Sequence, residues 1–271
     1  MQKVTLLIDG DIVAYEAASS VEQEINWGGD LWTLSSDLDE AKGKVESRLL
    51  GWQERFSADL VIAFSDSVNF RKSVYPEYKS NRKAKRKPLA YKPLKAWMEG
   101  VWESYQRPSL EGDDVLGILS THPKAIRGQK IIVSIDKDMK TIPGYVWNPD
   151  KDDQPVFIDE AEANYWHMYQ TLTGDTTDGY PGLPGCGPVK AKKLLDDCDP
   201  LHWWDSIVEE YAKKGLHEGD ALVQARCARI LRHTDYDYKK KEVKLWSPTE
   251  NDIATAVVHG KTTSTTRTAS K

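Results

Sequence analysis

Long apolar stretches are missing from this 271-residue chain. No run approaches the ~20 residues that a membrane helix needs. Cysteine is scarce as well. The three present, Cys186, Cys198 and Cys227, are odd in number and unpatterned. They make no disulfide framework and fit a reducing cytoplasm, where each serves as a small hydrophobic residue. No Cys/His set has the spacing of a zinc site. The opening MQKVTLLIDGD has no signal-peptide anatomy, because LLI is too short for the apolar segment of one.

What is present is ordinary in bulk and uneven in distribution. Hydrophobic residues make up 39% and charged residues 29%, as in a soluble globular protein of one large or two small domains. A chain of this size can bury a core without a staple. Residues 71–95 hold ten basic side chains against Glu77 alone, a local charge of +9. That leaves −14 on the rest of a chain whose formal net charge is −5. A basic stripe on an acidic body can hold a polyanion while the acids do something else.

Short apolar runs at VTLLI (4–8), LVIAF (60–64), KIIVS (130–134) and YVW (145–147) predict strands. Between them, residues 38–56 place Ala41, Val45, Leu49, Trp52 and Phe56 at helical spacing. Helices are predicted also over 112–120, 159–172, 201–214 and 218–232. Residues 23–34, with Trp27-Gly28-Gly29-Asp30, read as a hairpin insertion. Strands alternating with helices imply an α/β fold, a parallel sheet flanked by helices, whose ligand site lies outside the carboxyl ends of the strands. From about 176 glycine and proline cluster and the chain turns helical. HGKTTSTTRTASK (259–271) reads as a disordered tail.

Each of the first three predicted strands runs into acids: Asp9 and Asp11, then Asp66, then Asp136 and Asp138. Two of these sets are Asp-x-Asp, so both carboxylates leave one face of an extended chain. Glu111-Gly112-Asp113-Asp114 opens a helix, and Asp175 and Asp178 precede the glycine-rich segment. Any single one of these could be a cap or turn former, Asp113 or Asp114 above all. Together they would meet at one rim if the strands are parallel neighbours. Crowded carboxylates repel, and hard divalent cations relieve that repulsion; oxygen-only ligands suit Mg²⁺ or Mn²⁺. Two such ions can activate water and stabilise a leaving oxygen in phosphodiester cleavage.

The basic run FRKSVYPEYKSNRKAKRKP follows the Asp66 strand directly, which argues for phosphate contact rather than a merely solvated basic face. Tyr75 and Tyr78 are placed to stack on bases. Gly182, Gly185 and Gly187 lead into a helix carrying Lys190, Lys192 and Lys193, where backbone amides can hold a phosphate, although glycine turns between helices are common.

The motifs IDGD, AFSDS, YPEYKSNR, LEGDD, SIDKDM and GDTTDGYPGLPGCG occur in that order, followed by QARCARILR and VKLW. In this the chain resembles the flap endonuclease/5′-nuclease family, and within it the podovirus-type phage 5′→3′ exonucleases, over roughly residues 1–246. The resemblance implies a PIN-like core over 1–174 with a helical arch near 68–105. It implies a helix–three-turn–helix DNA-binding region over 175–246 and a flexible tail over 247–271. By motif, Asp9, Asp66, Glu111, Asp113 and Asp114 would serve a first metal, and Asp136, Asp138, Asp175 and Asp178 a second. Lys79 and Arg82 would act on the scissile phosphate, with Tyr78, Asn81 and Lys83 on the DNA. Gly182, Gly185, Gly187 and Lys190 would bind the duplex backbone, with a monovalent cation at the glycine turn. The implied activity is 5′→3′ exonuclease or flap cleavage of DNA with a 5′ end, and of RNA in hybrids, in the host-cell cytoplasm if the gene belongs to a phage. Two departures stand out: Val189 occupies a place where the family carries a basic residue, and Asp11 lacks a counterpart in much of the family.

Three other readings compete. Asp9-Gly10-Asp11-Ile12-Val13 fits the opening of a haloacid-dehalogenase-type phosphatase, an aspartate nucleophile with a second acid two residues on. That leaves the basic run and the glycine turn unexplained. A non-catalytic DNA-structure binder would have its affinity weakened by idle carboxylates. An RNA-directed PIN nuclease would not need the helix–three-turn–helix match.

Overall fold

The run after Lys3 becomes a sheet centre in this computed structural model, which describes residues 3–82 and 86–248. Strand β1 (Val4–Asp9) alternates its side chains: Leu6 and Ile8 enter one core, Leu7 the other. Asp9 ends the strand and caps helix α1 (Gly10–Ser20), its Oδ1 accepting from the amide of Ile12 at 3.1 Å. Gly10 permits this sharp strand-to-helix turn. A Cβ there would come within 2.4 Å of the Phe64 ring and 2.8 Å of the Ala63 carbonyl oxygen. The predicted hairpin forms from β2 (Glu22–Asn26) and β3 (Trp32–Ser36), paired antiparallel. Helix α2 (Leu38–Phe56) follows as its spacing predicts and buries Ala41, Val45 and Leu49.

Strand β4 (Asp59–Phe64) then lies parallel to β1. The segment expected as a basic arch is less uniform than its charge implied. It holds a four-residue helix α3 (Arg71–Val74), a 3₁₀ turn at Ser80–Arg82, and helix α4 (Tyr91–Val101). Lys83 lies outside the described residues. Helix α4 packs one face inward: its Tyr91, Leu94 and Met98 are buried in the first core, because an apolar stripe accompanies the basic residues.

Strand β5 (Ser104–Gln106) adds beside β4; helix α5 (Gly112–Thr121) crosses the other face, and β6 (Gln129–Val133) pairs with β1 on its free side. Strand β7 (Gly144–Trp147) continues in parallel, and β8 (Val156–Ile158) closes the sheet antiparallel. The order β5-β4-β1-β6-β7-β8 reverses direction at β1, so a crevice opens there at the carboxyl ends of the strands. The parallel sheet flanked by helices is what the alternation predicted, and it fits the PIN-like core that the resemblance implied; the antiparallel edge is additional.

Helices α6 (Glu160–Thr173), α7 (Pro188–Asp196), α8 (Trp203–Ala212) and α9 (Glu218–Ala228) enclose a third core around Leu172, Leu195, Ile207, Tyr211 and Ala225. Two small strands, β9 (Tyr236–Asp237) and β10 (Glu242–Val243), pair near the end of the described chain. The helix expected over 201–214 starts as a 3₁₀ turn at Pro200–His202. The one expected over 218–232 stops at Ala228, where the chain extends so that Ile230 and Leu231 pack under α5 and the Leu231 amide reaches Asp114. The tail expected from 247 lies, from residue 249 onward, outside the described residues.

Candidate active site

The parallel strands deliver acids to one edge. Asp9 ends β1, and its Oδ2 accepts from the Ser134 hydroxyl of the neighbouring strand end at 2.9 Å. Asp136 follows β6 and accepts from the amide of Asp138 at 2.9 Å. Glu111 caps α5, which places Asp113 in its first turn. These four and Asp178 line one cavity of about 150 Å³, together with Asp11, Lys79 and Arg82. A larger hollow of about 700 Å³ between α1 and α2 carries only Glu16 and Glu40 as acids, so the chemistry belongs to the smaller one.

The cavity is electrostatically divided. Burial and then the charge of Asp11 push the Asp9 carboxyl up to about 7. Asp113 is held well above the carboxylate range by burial and then by Asp9 and Asp136. Burial and Asp136 raise Asp138 to about 7. Glu111 behaves oppositely. Burial pushes it up, but the charges of Lys79 and Arg71 and the hydrogen bonds from Lys79 and Tyr78 outweigh that and hold it at about 2. The Lys79 ammonium pairs with Glu111 and lies 3.3 Å from Asp178. Arg82 reaches Asp178 at 2.7 Å.

Lys79 itself adopts a left-handed backbone (φ 53°), uncommon for a side chain with Cβ. Its amide donates to the Asp178 carbonyl at 2.7 Å, and Asn81 Nδ2 donates to the Thr176 carbonyl at 3.0 Å. The Tyr-Lys-Ser-Asn-Arg turn is therefore docked on the 175–178 loop, a hundred residues away in sequence.

Among the described residues, no three acidic, histidine or cysteine side chains are drawn around a single point. Like charges facing one another stand apart. The donors nevertheless fit a hard divalent ion by chemistry, being carboxylate oxygens with raised proton affinity.

Several expected site residues sit elsewhere. Asp114 does not line the cavity. It is fully buried and accepts from Arg71 twice at 2.7 Å and from the amides of Glu111 and Leu231 at 3.1 Å each, which leaves its oxygens occupied. Asp66 is held between its own loop and the loop before α5, accepting from the amides of Ser67 and Ser109 at 2.7 Å each. Tyr78 is 2% exposed, stacked on Tyr180, with its hydroxyl 2.7 Å from Asp178 and 3.0 Å from Glu111. It braces the site and presents no face to a base. Asp138 is bound by Gln170, and Asp175 pairs with Lys137 at 3.0 Å while ordering its own turn; both stand beside the cavity rather than in its lining. Asp11 supports the wall, accepting from the Ser65 amide at 2.6 Å and the Tyr91 hydroxyl at 2.7 Å.

The glycine turn joins α6 to α7. Gly182 has φ 66°, and a Cβ there would meet the Gly174 nitrogen at 2.3 Å. Gly187 caps α7. Lys190 is drawn to Glu210 at 2.7 Å. Sequence reasoning missed Lys214, whose ammonium would lie 3.8 Å from a Cβ on Gly185. It missed Arg71 too, which was counted within the basic run. Neither had a local signal, because their partners are remote in sequence.

Comparison with known proteins shows what the chain is similar to. The model of the family described as 5′-3′ exonuclease, N-terminal resolvase-like domain, matches residues 5–161. The exodeoxyribonuclease of enterobacteria phage T3 is 34% identical over 290 residues, which cover 91% of this chain and 93% of that protein. The exonuclease of Escherichia phage T7 is 34% identical over 284 residues, covering 91% and 94%. Among solved structures, the bacteriophage T5 flap endonuclease in a pseudo-enzyme–product complex with DNA and metal ions superposes with a TM-score of 0.59 at 12% identity, covering 83% of this chain and 93% of that one.

Proposed function

The chain belongs to the 5′-3′ exonuclease family, and on that premise we propose that it is a metal-dependent 5′→3′ exonuclease or flap-type nuclease that hydrolyses DNA to 5′-phosphate products. The observation that carries this reading is the convergence of Asp9, Glu111, Asp113, Asp136 and Asp178 with Lys79 and Arg82 on one cavity. The phosphatase alternative loses its second acid, since Asp11 is bound into the wall by Ser65 and Tyr91. No helix among the described residues is long and apolar enough to cross a membrane.

Duplex DNA with a 5′ end or flap is the substrate, and RNA–DNA hybrid a further one. Residues 1–174 are the nuclease core and 175–246 the duplex-binding part. Amides of the glycine turn and the N-terminus of α7 hold a backbone phosphate, with Lys190 and Lys214 adding positive charge. That contact leaves the terminal phosphodiester over the cavity. Asp9, Glu111, Asp113, Asp136 and Asp178 hold two or more Mg²⁺ or Mn²⁺ ions, with Asp138 and Asp175 beside them. When bound, the ions supply charge neutralisation and lower the proton affinity of attacking water. Water adds to phosphorus in line with the P–O3′ bond. That bond breaks, leaving a 3′-hydroxyl and a 5′-phosphate. Lys79 and Arg82 turn from Glu111 and Asp178 toward the phosphoryl oxygens, where negative charge accumulates. The phage relatives support a role on DNA in a host cell's cytoplasm.

The test is Asp136→Ala combined with Asp138→Ala, assayed on 5′-labelled duplex, flap and hybrid substrates with Mg²⁺ and with chelator. Cleavage should vanish in Mg²⁺ while DNA binding in Ca²⁺ persists. Undiminished cleavage would end the assignment.

A further inference from the structure

Arg71 opens α3 within the basic run, where its charge would be counted as DNA-facing. The structure withdraws it from solvent entirely: the side chain is 2% exposed. All five of its N–H groups are used. Nε donates to the Cys227 carbonyl at 3.0 Å, Nη1 to Asp114 at 2.7 Å and Glu111 at 3.2 Å, and Nη2 to Asp114 at 2.7 Å and the Arg229 carbonyl at 2.6 Å. The rings of Phe70 and Tyr78 flank the guanidinium, their centroids 4.7 and 5.7 Å away. It cannot touch DNA in this arrangement.

Stability alone is a poor reason for such a residue, because apolar side chains of similar volume serve a core as well as a buried ion pair does. Its position offers a better one. The Glu111 carboxylate has one oxygen facing Lys79 and the other shared by Arg71 and Tyr78. Asp114 is clamped two-fold by the same guanidinium, and its carboxylate in turn receives the amides of Glu111 and Leu231. One planar group therefore sets the rotamer of a cavity carboxylate and the start of α5. The same group bolts the end of α9, in the helical C-terminal part, to that helix.

We propose that Arg71 is a positioning residue. It holds Glu111 at the angle at which its carboxylate faces the ions, and it couples the C-terminal helical part to the rim. The proposal rests on the nuclease reading of that rim, which Mg²⁺-dependent cleavage by the unaltered protein tests separately.

The experiment compares the unaltered protein with Arg71→Lys. It reads Mn²⁺ affinity by calorimetry, kcat and KM on a 5′-labelled duplex, duplex affinity in Ca²⁺ across salt concentrations, and the thermal midpoint. Lysine keeps the charge opposite Asp114 but cannot fill five directions. Mn²⁺ affinity and kcat should each fall by about 10–100-fold, the range seen when a group orienting a metal ligand is lost. KM and the salt slope of duplex binding should not change. A weaker duplex affinity with a shallower salt slope and unchanged Mn²⁺ binding would make Arg71 a phosphate contact and overturn the proposal. A lowered thermal midpoint with unchanged Mn²⁺ affinity and kcat would make it purely structural, which also overturns it. If Arg71→Lys does not fold, the same readings are taken on Arg71→Met with Asp114→Met, which removes both buried charges together. Normal Mn²⁺ affinity in that folded variant is the overturning result.

Discussion

The two sides of the acidic cavity solve the same electrostatic problem in opposite ways. On one side Glu111 and Asp178 are neutralised by the chain itself, through Lys79, Arg82 and Arg71. On the other, Asp9, Asp113 and Asp136 face one another with no ion pair among the described residues, and burial and mutual repulsion lift Asp9 and Asp113. The basic turn at 78–82 is docked over only one side. The demand for an external cation is therefore localised. It is greatest where the sheet ends meet the first turn of α5, and smaller at Glu111 and Asp178, which can share in the ions once Lys79 and Arg82 turn toward the phosphate.

The strongest way to break that contrast is on the unneutralised side. Asp113→Asn should reduce single-turnover cleavage on the order of 10³-fold at saturating Mg²⁺, since ion-assisted charge stabilisation accounts for several kcal/mol of the barrier. The same change should raise the thermal midpoint of the ion-free protein at pH values where Asp113 is ionised, because a buried repelled charge is gone. Retention of more than a tenth of the cleavage would place the ions elsewhere.

On the neutralised side, Lys79→Met should lower cleavage about 10²-fold by removing a donor to the phosphoryl oxygens. It should also let the Glu111 carboxyl rise from about 2. Carboxyl NMR titration reads the second effect directly. An unmoved Glu111 would mean that Lys79 is not what neutralises it, and the two sides would no longer differ for the stated reason.

The smallest effect is on stability against pH. The Asp9 and Asp138 carboxyls titrate near 7 in the folded chain, whereas an unfolded aspartate titrates near 3.8. Between those values the folded state holds more protons, so stability falls as pH rises through that window. In chelator the thermal midpoint should drop by a few degrees from pH 5 to pH 8. Added Ca²⁺ should flatten the curve. A flat curve in chelator would mean that burial and neighbouring charge do not raise these two carboxyls.

Much of the fold is legible locally. β1, β4, β6 and β7 fall on the four predicted apolar runs, and α2 on its predicted span, because alternation and helical spacing are short-range patterns. Helix α1 escapes that reading, since Ile12, Val13 and Ala14 continue the apolar run of β1; what turns the chain is Gly10 pressed against Phe64. Helix α4 is obscured by Lys92 and Lys95, which lie between its apolar positions and read as part of the basic run. The glycine turn is visible as composition, but Lys214 beside it is not, since nothing in residues 213–215 announces Gly185.

By itself the sequence determined that acids follow successive strands, that a basic run follows the second of them, and that these motifs keep the order of a nuclease family. Those properties depend on neighbours along the chain. Only the tertiary structure decided which acids share a cavity. It sent Asp114 to Arg71 and Asp66 to the amide of Ser109, buried Tyr78 against Tyr180, and turned an arginine of the basic run into an internal brace. A carboxylate's role is set by the groups that reach its oxygens, and here the deciding partners lie tens of residues away or more along the chain, where no local pattern records them.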